Sequence, residues 1–185
     1  MPVRASLTIA ILSFALAAAG CGTQPPSPAA LKQQFEAHRT EFVRLRDTIT
    51  QDRHSRSYFT VGTDLIGDYW RDRNEWSMDG AADGPRDPSP RSLQEVLKRV
   101  GMSPARYAKY LRSLHAAGAT RVTALAAHGE PDEVDFLIFA SGIVPAGCST
   151  EIYFRTNGPR DVPEWARWSQ STTLGKNWYA LSTCN

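Results

Sequence analysis

Two cysteines in the C-terminal half, Cys148 and Cys184, are the residues whose chemistry decides most about this chain. In an oxidising compartment an even pair favours a disulfide, and closing the loop between them removes about 3 to 4 kcal/mol of chain entropy from the unfolded state. The alternative is that Cys148 is a nucleophilic thiol with a histidine such as His128 as its base. We expect the disulfide, because the second cysteine is the simpler partner for the first.

A group of acidic residues could divide the roles of general acid and general base between two carboxyl groups. The group crowds a turn and the start of the strand after it: Glu130, Asp132, Glu133 and Asp135. We expect a solvated hairpin tip here, because acidic residues are typical of exposed turns. The sequence therefore names no catalytic residue, and enzymatic activity stays uncertain, with a non-enzymatic protein favoured.

The four histidines have none of the spacings by which metal sites are recognised. They are scattered at His38, His54, His115 and His128, with no H-E-x-x-H pattern and no Cys/His finger. The chain also contains no G-x-S-x-G elbow, no P-loop and no dinucleotide-binding glycine pattern. We therefore expect neither a metal nor a cofactor.

The candidate binding surface is a polar segment in which two tryptophans flank an arginine: Trp165, Arg167 and Trp168. Such aromatic and cationic pairs are frequent in protein contacts and in sugar recognition, because a flat ring offers area while its N–H still bonds. Trp70 and Trp76 also lie among Asp and Arg residues. The alternative for all of these rings is a half-buried cover over the core.

Composition and charge favour one globular domain and exclude a polyanionic partner. Of the 185 residues, 42% are hydrophobic and 22% are charged, and the formal net charge is +2. Lysines and arginines are interleaved with acids, as in Arg71-Asp72-Arg73, whereas a nucleic-acid binder clusters its cations. We expect no nucleic-acid partner.

The first twenty residues are typical of an export leader. Arg4 supplies the positive charge, Ala5 to Ala19 are almost wholly apolar, and small residues precede Cys21. The apolar run is too short to stay as a membrane span, which needs roughly 20 apolar residues. We expect residues 1–20 to be a signal peptide and 21–28 a flexible tether.

The sequence Ala18-Ala19-Gly20-Cys21 resembles the lipobox of bacterial lipoproteins, although Ala18 stands where that family most often has Leu. The resemblance implies cleavage before Cys21 and lipid on its sulfur, which would make the membrane a partner. Ordinary secretory cleavage is the alternative. Gly22, where an Asp would imply retention at the inner membrane, favours the periplasmic face of the outer membrane in a Gram-negative host.

Start and stop signals predict three helices. Ser27-Pro28 begins a long amphipathic helix, Ser92 to Glu95 forms a capping box, and Ser103-Pro104 begins a third helix. Gly101 and Gly118 end the second and third helices, which we expect to form a helical hairpin. The apolar faces of the three helices are Leu31, Phe35, Phe42, Leu45 and Ile49; Leu93, Val96, Leu97 and Val100; and Tyr107, Tyr110, Leu111 and Leu114.

The rest of the chain predicts strands and turns. We expect a first strand over Ser57 to Val61, an irregular second strand over Asp64 to Trp76 and an exposed loop over Ser77 to Pro90. Later strands are predicted at Arg121 to Ala127, Val134 to Ala140 as the central strand, Thr150 to Arg155 and Asn177 to Ser182. The order favours a single α+β domain over 29–185, with the long helix and the hairpin packed on a mainly antiparallel sheet.

The C-terminal half is similar to small proteobacterial lipoproteins of unassigned function, through Phe136 to Phe139, Ile152 to Phe154 and Asn177 to Leu181. That resemblance carries no activity or catalytic residue. Together with the anchor, it leads us to expect an envelope lipoprotein that binds an envelope or toxin protein, as an accessory subunit or an immunity factor. The alternatives are a thiol- or carboxylate-dependent hydrolase acting on envelope material, or a glycan or small-ligand binder.

Overall fold

The structure is a computed structural model, and it describes residues 24–71, 73, 75–77, 86–87, 91–126, 133–143 and 146–185. The leader, Cys21, His128 and the acids Glu130 and Asp132 lie outside the described residues. So does most of the loop expected between Ser77 and Pro90. Among the described residues, no helix combines the length and apolarity needed to cross a membrane.

The long N-terminal helix begins where its cap predicts. Helix α1 (Pro28–Arg53) follows Ser27, whose hydroxyl accepts a hydrogen bond from the Ala30 N–H. Its buried residues are those of the expected apolar face: Leu31, Phe35, Phe42, Leu45 and Ile49. This apolar face of α1 lies against the sheet and is part of the hydrophobic core.

Two shorter helices follow. Helix α2 (Leu93–Val100) has the expected capping box between Ser92 and Glu95, and α3 (Pro104–Ala117) ends at Gly118 in the left-handed conformation. Leu93 is exposed rather than part of the buried face. The hairpin prediction needs one correction, because α3 packs mainly on α1 rather than on α2.

Polar contacts fix α3 on α1. Asp52 accepts two hydrogen bonds from the Arg106 guanidinium, at 2.9 and 3.1 Å, and a third from the Tyr110 hydroxyl at 2.8 Å. At the other end, the Gln34 amide donates to the carbonyl of Ala117 at 2.8 Å, which satisfies an unpaired group of the α3 C-terminus. These contacts hold the two helices as one layer.

Ten strands belong to one antiparallel sheet within the described residues. Their bounds are β1 (Tyr58–Gly62), β2 (Leu65–Ile66), β3 (Tyr69–Trp70), β4 (Glu75–Ser77), β5 (Arg86–Asp87), β6 (Arg121–Leu125), β7 (Glu133–Ile143), β8 (Ala146–Arg155), β9 (Trp168–Gly175) and β10 (Trp178–Cys184). The predicted α+β class is confirmed. The irregular second strand is three short strands, and part of the predicted loop, at Arg86–Asp87, is a strand.

The strand order is β5-β4-β3-β2-β1-β6-β7-β8-β10-β9. The predicted meander holds for β6, β7 and β8, and β7 lies between the other two, as expected of a central strand. The end of the chain departs from a meander, since β10 inserts beside β8 and leaves β9 at the edge. Strand β9 is an element that the sequence reading missed.

Alternation along the strands gives the sheet two different faces. One face packs on the helices and contributes the apolar core, in which Trp178 contacts the rings of Phe35, Phe42, Phe136 and Phe154. The opposite face carries the intervening positions, which on the central strands are mostly polar or charged, with Leu125 and Leu137 among them. The candidate sites lie on this second face and at the β9 edge.

Candidate functional site

The tryptophan segment predicted as a binding surface is exposed. Trp165 is 58% exposed and Trp168 is 43% exposed, and Arg167 between them is exposed as well. Val162, three residues before Trp165, is 44% exposed. The described part of the chain has four exposed large hydrophobic residues. Three of them, Val162, Trp165 and Trp168, lie within seven positions, and the fourth is Leu93 on α2. The rings of Trp165 and Trp168 are therefore not a half-buried cover over the core, which was the alternative interpretation.

Strand β9 extends this surface along the edge of the sheet. It pairs with β10 on one side, and no strand pairs with its other side in the part of the chain that the structure describes. Its first four residues, Trp168 to Ser171, are all exposed. We call Val162, Trp165, Arg167 and β9 together the edge surface.

The predicted disulfide joins the strands behind the edge surface. The sulfur atoms of Cys148 and Cys184 are bonded, and the two residues lie directly opposite each other on β8 and β10. Cys184 is also paired with Trp168 on β9, so these three residues form one row across three strands. A bonded sulfur is not a thiolate, so Cys148 is no nucleophile in this state.

Trp165 lines a groove of about 300 Å³ between its own segment and the end of the β7–β8 hairpin. The other lining residues are Ala140, Ser141, Gly142, Gly147, Cys148, Ser149, Thr183 and Asn185. The Arg167 N–H donates to the Cys184 carbonyl at 2.9 Å, and the Asn185 N–H donates to the Gly147 carbonyl at 3.0 Å. The first bond ties the tryptophan segment to the disulfide end of the sheet, and the second ties the C-terminal residue to β8.

The acidic residues on β7 are not part of a solvated tip, which corrects the prediction for Glu133 and Asp135. Both side chains are largely buried beneath Arg160, with 13% and 14% exposure. The guanidinium Nη1 donates to Glu133 Oε1 at 3.0 Å and to Asp135 Oδ2 at 3.1 Å, and Nη2 donates to Glu151 on β8. We call these four residues the carboxylate cluster.

Tyr153 contacts Arg160 of the carboxylate cluster through both its ring and its hydroxyl. The Arg160 guanidinium stacks 4.6 Å above the Tyr153 ring, and the Arg160 backbone N–H donates to the Tyr153 hydroxyl at 3.2 Å. A second cation, Arg155, lies 3.5 Å from the other Glu133 oxygen. Two arginines therefore face three carboxyl groups.

Burial and this imbalance of charge perturb the pKa values of the cluster. Burial raises the pKa of Asp135 well above its usual range; the Arg160 charge opposes the rise, and Glu151 and Glu133 add to it. For Arg160, burial lowers the pKa, but the three carboxyl groups outweigh it and hold the pKa above its ordinary value. Protonation of Asp135 would leave two carboxylates, Glu133 and Glu151, opposite the two guanidinium groups of Arg160 and Arg155.

A cleft of about 340 Å³ opens next to the cluster on the same face of the sheet. It is lined by Tyr58, Leu65, Gly67, Asp68, Trp70, Arg121, Thr123, Leu125, Asp135, Leu137 and Glu151. Burial raises the pKa of Asp68 and that of Tyr58. The Arg121 guanidinium lies 3.4 Å from Asp64 Oδ2 and 5.9 Å from the centre of the Trp70 ring. The cleft combines carboxyl groups, one cation, hydroxyls and apolar surface.

Some of these residues could be predicted from the sequence. Trp70, Glu133 and Asp135 were among the candidates, and alternation with the buried Val134 and Phe136 could have shown that the two acids share the face opposite the core. Arg160, Glu151 and Arg121 were not predicted, because their nearness to these acids depends on strand pairing. Within the described ranges, no three or more His, Cys, Asp or Glu side chains are grouped so that they could hold a metal ion.

Comparison of the chain with protein-family models, with curated proteins and with solved structures found no match.

Proposed function

We propose that this protein is a lipid-anchored envelope protein whose domain binds another protein through the edge surface. The lipid is carried by Cys21, and the expected location is the periplasmic face of the outer membrane. The partner is an envelope or toxin protein that presents an extended strand to β9. The observation that carries the proposal is the exposure of Trp165 and Trp168 beside an edge of β9 with which no strand in the described residues pairs.

The unpaired edge supports strand addition. A free strand edge presents a row of backbone N–H and C=O groups, on which an extended segment of another chain can form a ladder. Soluble proteins protect such edges with charged residues, proline or short strands. Strand β9 has eight residues, Trp168–Gly175, and contains neither a charge nor a proline. Its edge is therefore well suited to a partner strand.

The residues beside the edge support a specific contact. Tryptophan and arginine dominate the binding energy of protein interfaces, because they bury large areas and retain polar atoms that bond. Here Trp165, Arg167 and Trp168 provide both kinds of side chain within four positions. The hydrogen bond from the Arg167 N–H to Cys184, and the disulfide of Cys184, hold the segment in place, so less conformational entropy is lost on binding.

The docking proposal can be tested by capture in the host envelope. The full-length tagged protein is expressed in its host, solubilised in mild detergent without reductant, and compared with W165A/W168A and with L93A. Leu93→Ala is the matched control, because Leu93 is an exposed hydrophobic residue on α2. We expect one protein to be retained by the wild type and by L93A and to be reduced at least tenfold by W165A/W168A. Equal retention by all three baits, or retention of no protein, would overturn the proposal.

The anchor is tested separately. We expect the wild-type protein in the membrane fraction, with a mature mass that includes lipid on Cys21, and we expect Cys21→Ser to leave that fraction. An unmodified sulfhydryl at position 21, or an uncleaved leader in whole cells, would contradict the anchor without bearing on the edge surface.

A further inference from the structure

The pairing of β10 with β8 decides which backbone groups of the next strand, β9, point away from the sheet. Residues along an antiparallel strand direct their N–H and C=O groups alternately to one neighbour and to the other. At the two ends of β10, the Asn185 N–H donates to Gly147 of β8, and the Asn177 carbonyl accepts from the N–H of Arg155. The odd-numbered residues of β10 therefore face β8, and the even-numbered residues face β9.

The outer side of β9 presents an uncharged row of backbone groups. Opposite the even-numbered residues of β10 lie Trp168, Gln170 and Thr172, so these three direct their N–H and C=O groups inward. The residues between them direct theirs to the side on which no strand pairs within the described residues: Ser169, Ser171 and Thr173. All three are exposed, and each carries a hydroxyl on the face of the sheet away from the helices.

Hydroxyl pairs already join neighbouring strands of this sheet. Thr60 of β1 lies directly opposite Thr123 of β6, and their hydroxyl oxygens are 2.9 Å apart. Thr150 of β8 and Ser182 of β10 form the same kind of pair, also at 2.9 Å. A hydroxyl both donates and accepts, so it can pair with another hydroxyl directly across a ladder. A strand that carries hydroxyls is therefore a fitting neighbour for the outer side of β9.

Strand β9 itself is such a strand. If two copies pair antiparallel about a two-fold axis at Ser171, that serine lies opposite its own counterpart, and Ser169 of each copy lies opposite Thr173 of the other. On the helix side, Gln170 of each copy lies opposite Thr172 of the other. The strand contains no charged residue, so this pairing brings no like charges together. The outward-directed residues would exchange about six backbone hydrogen bonds across the axis.

We propose that the partner of the edge surface is a second copy of this chain, joined through β9 about a two-fold axis at Ser171. This inference rests on the proposed function, since it names which envelope protein docks on β9. At each end of the joined strands, the exposed Trp168 of one copy lies beside Leu174 of the other, so the ring is covered by apolar surface. The turn between β9 and β10 of the second copy then lies next to Trp165.

The symmetry agrees with two lipid anchors. A two-fold axis perpendicular to the joined sheet leaves both helix layers on the same side of that sheet. The chain enters this layer through Ser27, at the start of α1, which packs on β9. Both tethers therefore leave the sheet on one side, as attachment to one membrane requires. Because that membrane confines the two copies together, a modest interface is sufficient to join them.

Single cysteine substitutions test the register. At the axis, the two copies of residue 171 lie directly opposite each other with Cα atoms about 5.5 Å apart, which a disulfide can bridge. The two copies of residue 169 are displaced by about 14 Å along the strands, which it cannot bridge. In the full-length protein in host envelopes, we expect Ser171→Cys to form a disulfide-linked dimer and Ser169→Cys and Thr173→Cys to form none alone. Coexpression of Ser169→Cys with Thr173→Cys should restore the link.

The outcomes separate this inference from the proposed function. The wild type shows any dimer that forms through its native cysteines. No dimer above that level from Ser171→Cys, or equal dimer from all three single substitutions, would refute pairing about Ser171. If envelope capture then retains a different protein, the proposed function stands and the second copy is excluded as the partner. If capture retains no protein at all, both fail.

The mass of the purified mature protein in detergent gives a second measurement. Ser171→Lys places two ammonium groups opposite each other at the axis, so we expect it to raise the dimer dissociation constant at least tenfold in sedimentation equilibrium. Ser55→Lys is the matched control, because Ser55 is exposed in the turn after α1, and it should leave the constant unchanged. A monomeric wild type, or a folded Ser171→Lys variant that dimerises as tightly as the wild type, would show that β9 does not join two copies.

Discussion

Arg160 and Asp135, which are 25 residues apart in the sequence, are joined by a hydrogen bond of 3.1 Å between Nη1 and Oδ2. This bond fixes the start of the segment that leads from β8 to β9. The Arg167 N–H, bonded to the Cys184 carbonyl, fixes its end. Trp165 is therefore presented on a segment that is held at both ends, and the carboxylate cluster and the edge surface are mechanically connected.

Replacing Arg160 should destabilise the domain. Arg160→Ala leaves Glu133, Asp135 and Glu151 without their shared cation, and removing one partner of a buried ion pair costs about 3 to 5 kcal/mol. Because Arg160 is 21% exposed, we expect a smaller loss, about 2 to 3 kcal/mol, in the free energy of unfolding measured with urea. The control is Arg44→Ala, whose exposed pair with Glu41 should contribute less than about 1 kcal/mol. Equal effects of the two substitutions would show that the cluster contributes no more than a surface pair.

The stability of the wild type should fall as pH rises, and Asp135→Asn should reduce this dependence. The folded-state pKa of Asp135 is raised above the unfolded value, so the folded state keeps a proton that the unfolded state releases. The stability from this proton is present below the unfolded pKa and is lost as pH rises through the folded pKa. Asparagine cannot titrate, so the variant should gain stability relative to the wild type as pH rises through this window.

Urea unfolding at several pH values upward from about 4, the unfolded pKa of an aspartate, measures this dependence. Some slope should remain in the variant, because burial raises the pKa of Asp68 in the same direction. Asp47→Asn is the control, since Asp47 is 61% exposed, and it should keep the wild-type slope. A wild-type curve that rises over this range, or an unchanged slope in Asp135→Asn, would show that Asp135 holds no extra proton.

Loss of the disulfide should affect stability and binding together. For cysteines separated by 36 positions, opening the loop should lower the free energy of unfolding by about 3 to 4 kcal/mol in the chain-entropy model. The C148S/C184S variant, compared with the wild type in urea without reductant, measures this loss. We also expect weaker capture of the partner by this variant, because Cys184 anchors Arg167 and pairs with Trp168. Full stability of the variant would contradict a structural role for the bond.

The aromatic core should depend strongly on Phe42. Its fully buried ring lies 5.1 Å from Phe136 and 6.2 Å from Trp178, measured between ring centres, so it joins α1 to the sheet. Phe42→Ala should lower the free energy of unfolding by about 3 to 5 kcal/mol, because it removes apolar area and leaves a cavity. Thermal or urea unfolding measures the loss, and Phe42→Leu should lose less. A change below about 1 kcal/mol would mean that α1 is not packed on the sheet as described.

Much of the fold could be predicted from the sequence, because local signals determine its helices. Ser27, Ser92 and Ser103 cap the three helices, and Gly101 and Gly118 end two of them, as their residue types indicate. Strand β9 was missed for a physical reason. The first four residues of β9 are exposed and only Leu174 enters the core, so most of Trp168–Gly175 is polar and shows no alternation of apolar and polar residues.

The sites depend on distant pairing that a single sequence does not reveal. The residues around Glu133 and Asp135 favour an exposed turn in the sequence. Their burial depends on Arg160, which lies in the segment after β8. The cleft depends on the pairing of β1 with β6, although four short strands and two helices lie between them in the sequence. The tryptophan segment was predictable, because two rings around an arginine in a polar stretch are costly to bury without partners.

The most direct test of the docking claim is a photo-crosslink from β9 in living host cells. A photoreactive phenylalanine replaces Gln170, which is exposed on the edge strand, and in a control protein it replaces Glu36, which is exposed on α1. We predict one specific adduct from position 170 that disappears in the W165A/W168A background, and no such adduct from position 36. The same adduct from both positions, or none from position 170, would contradict a partner at the β9 edge.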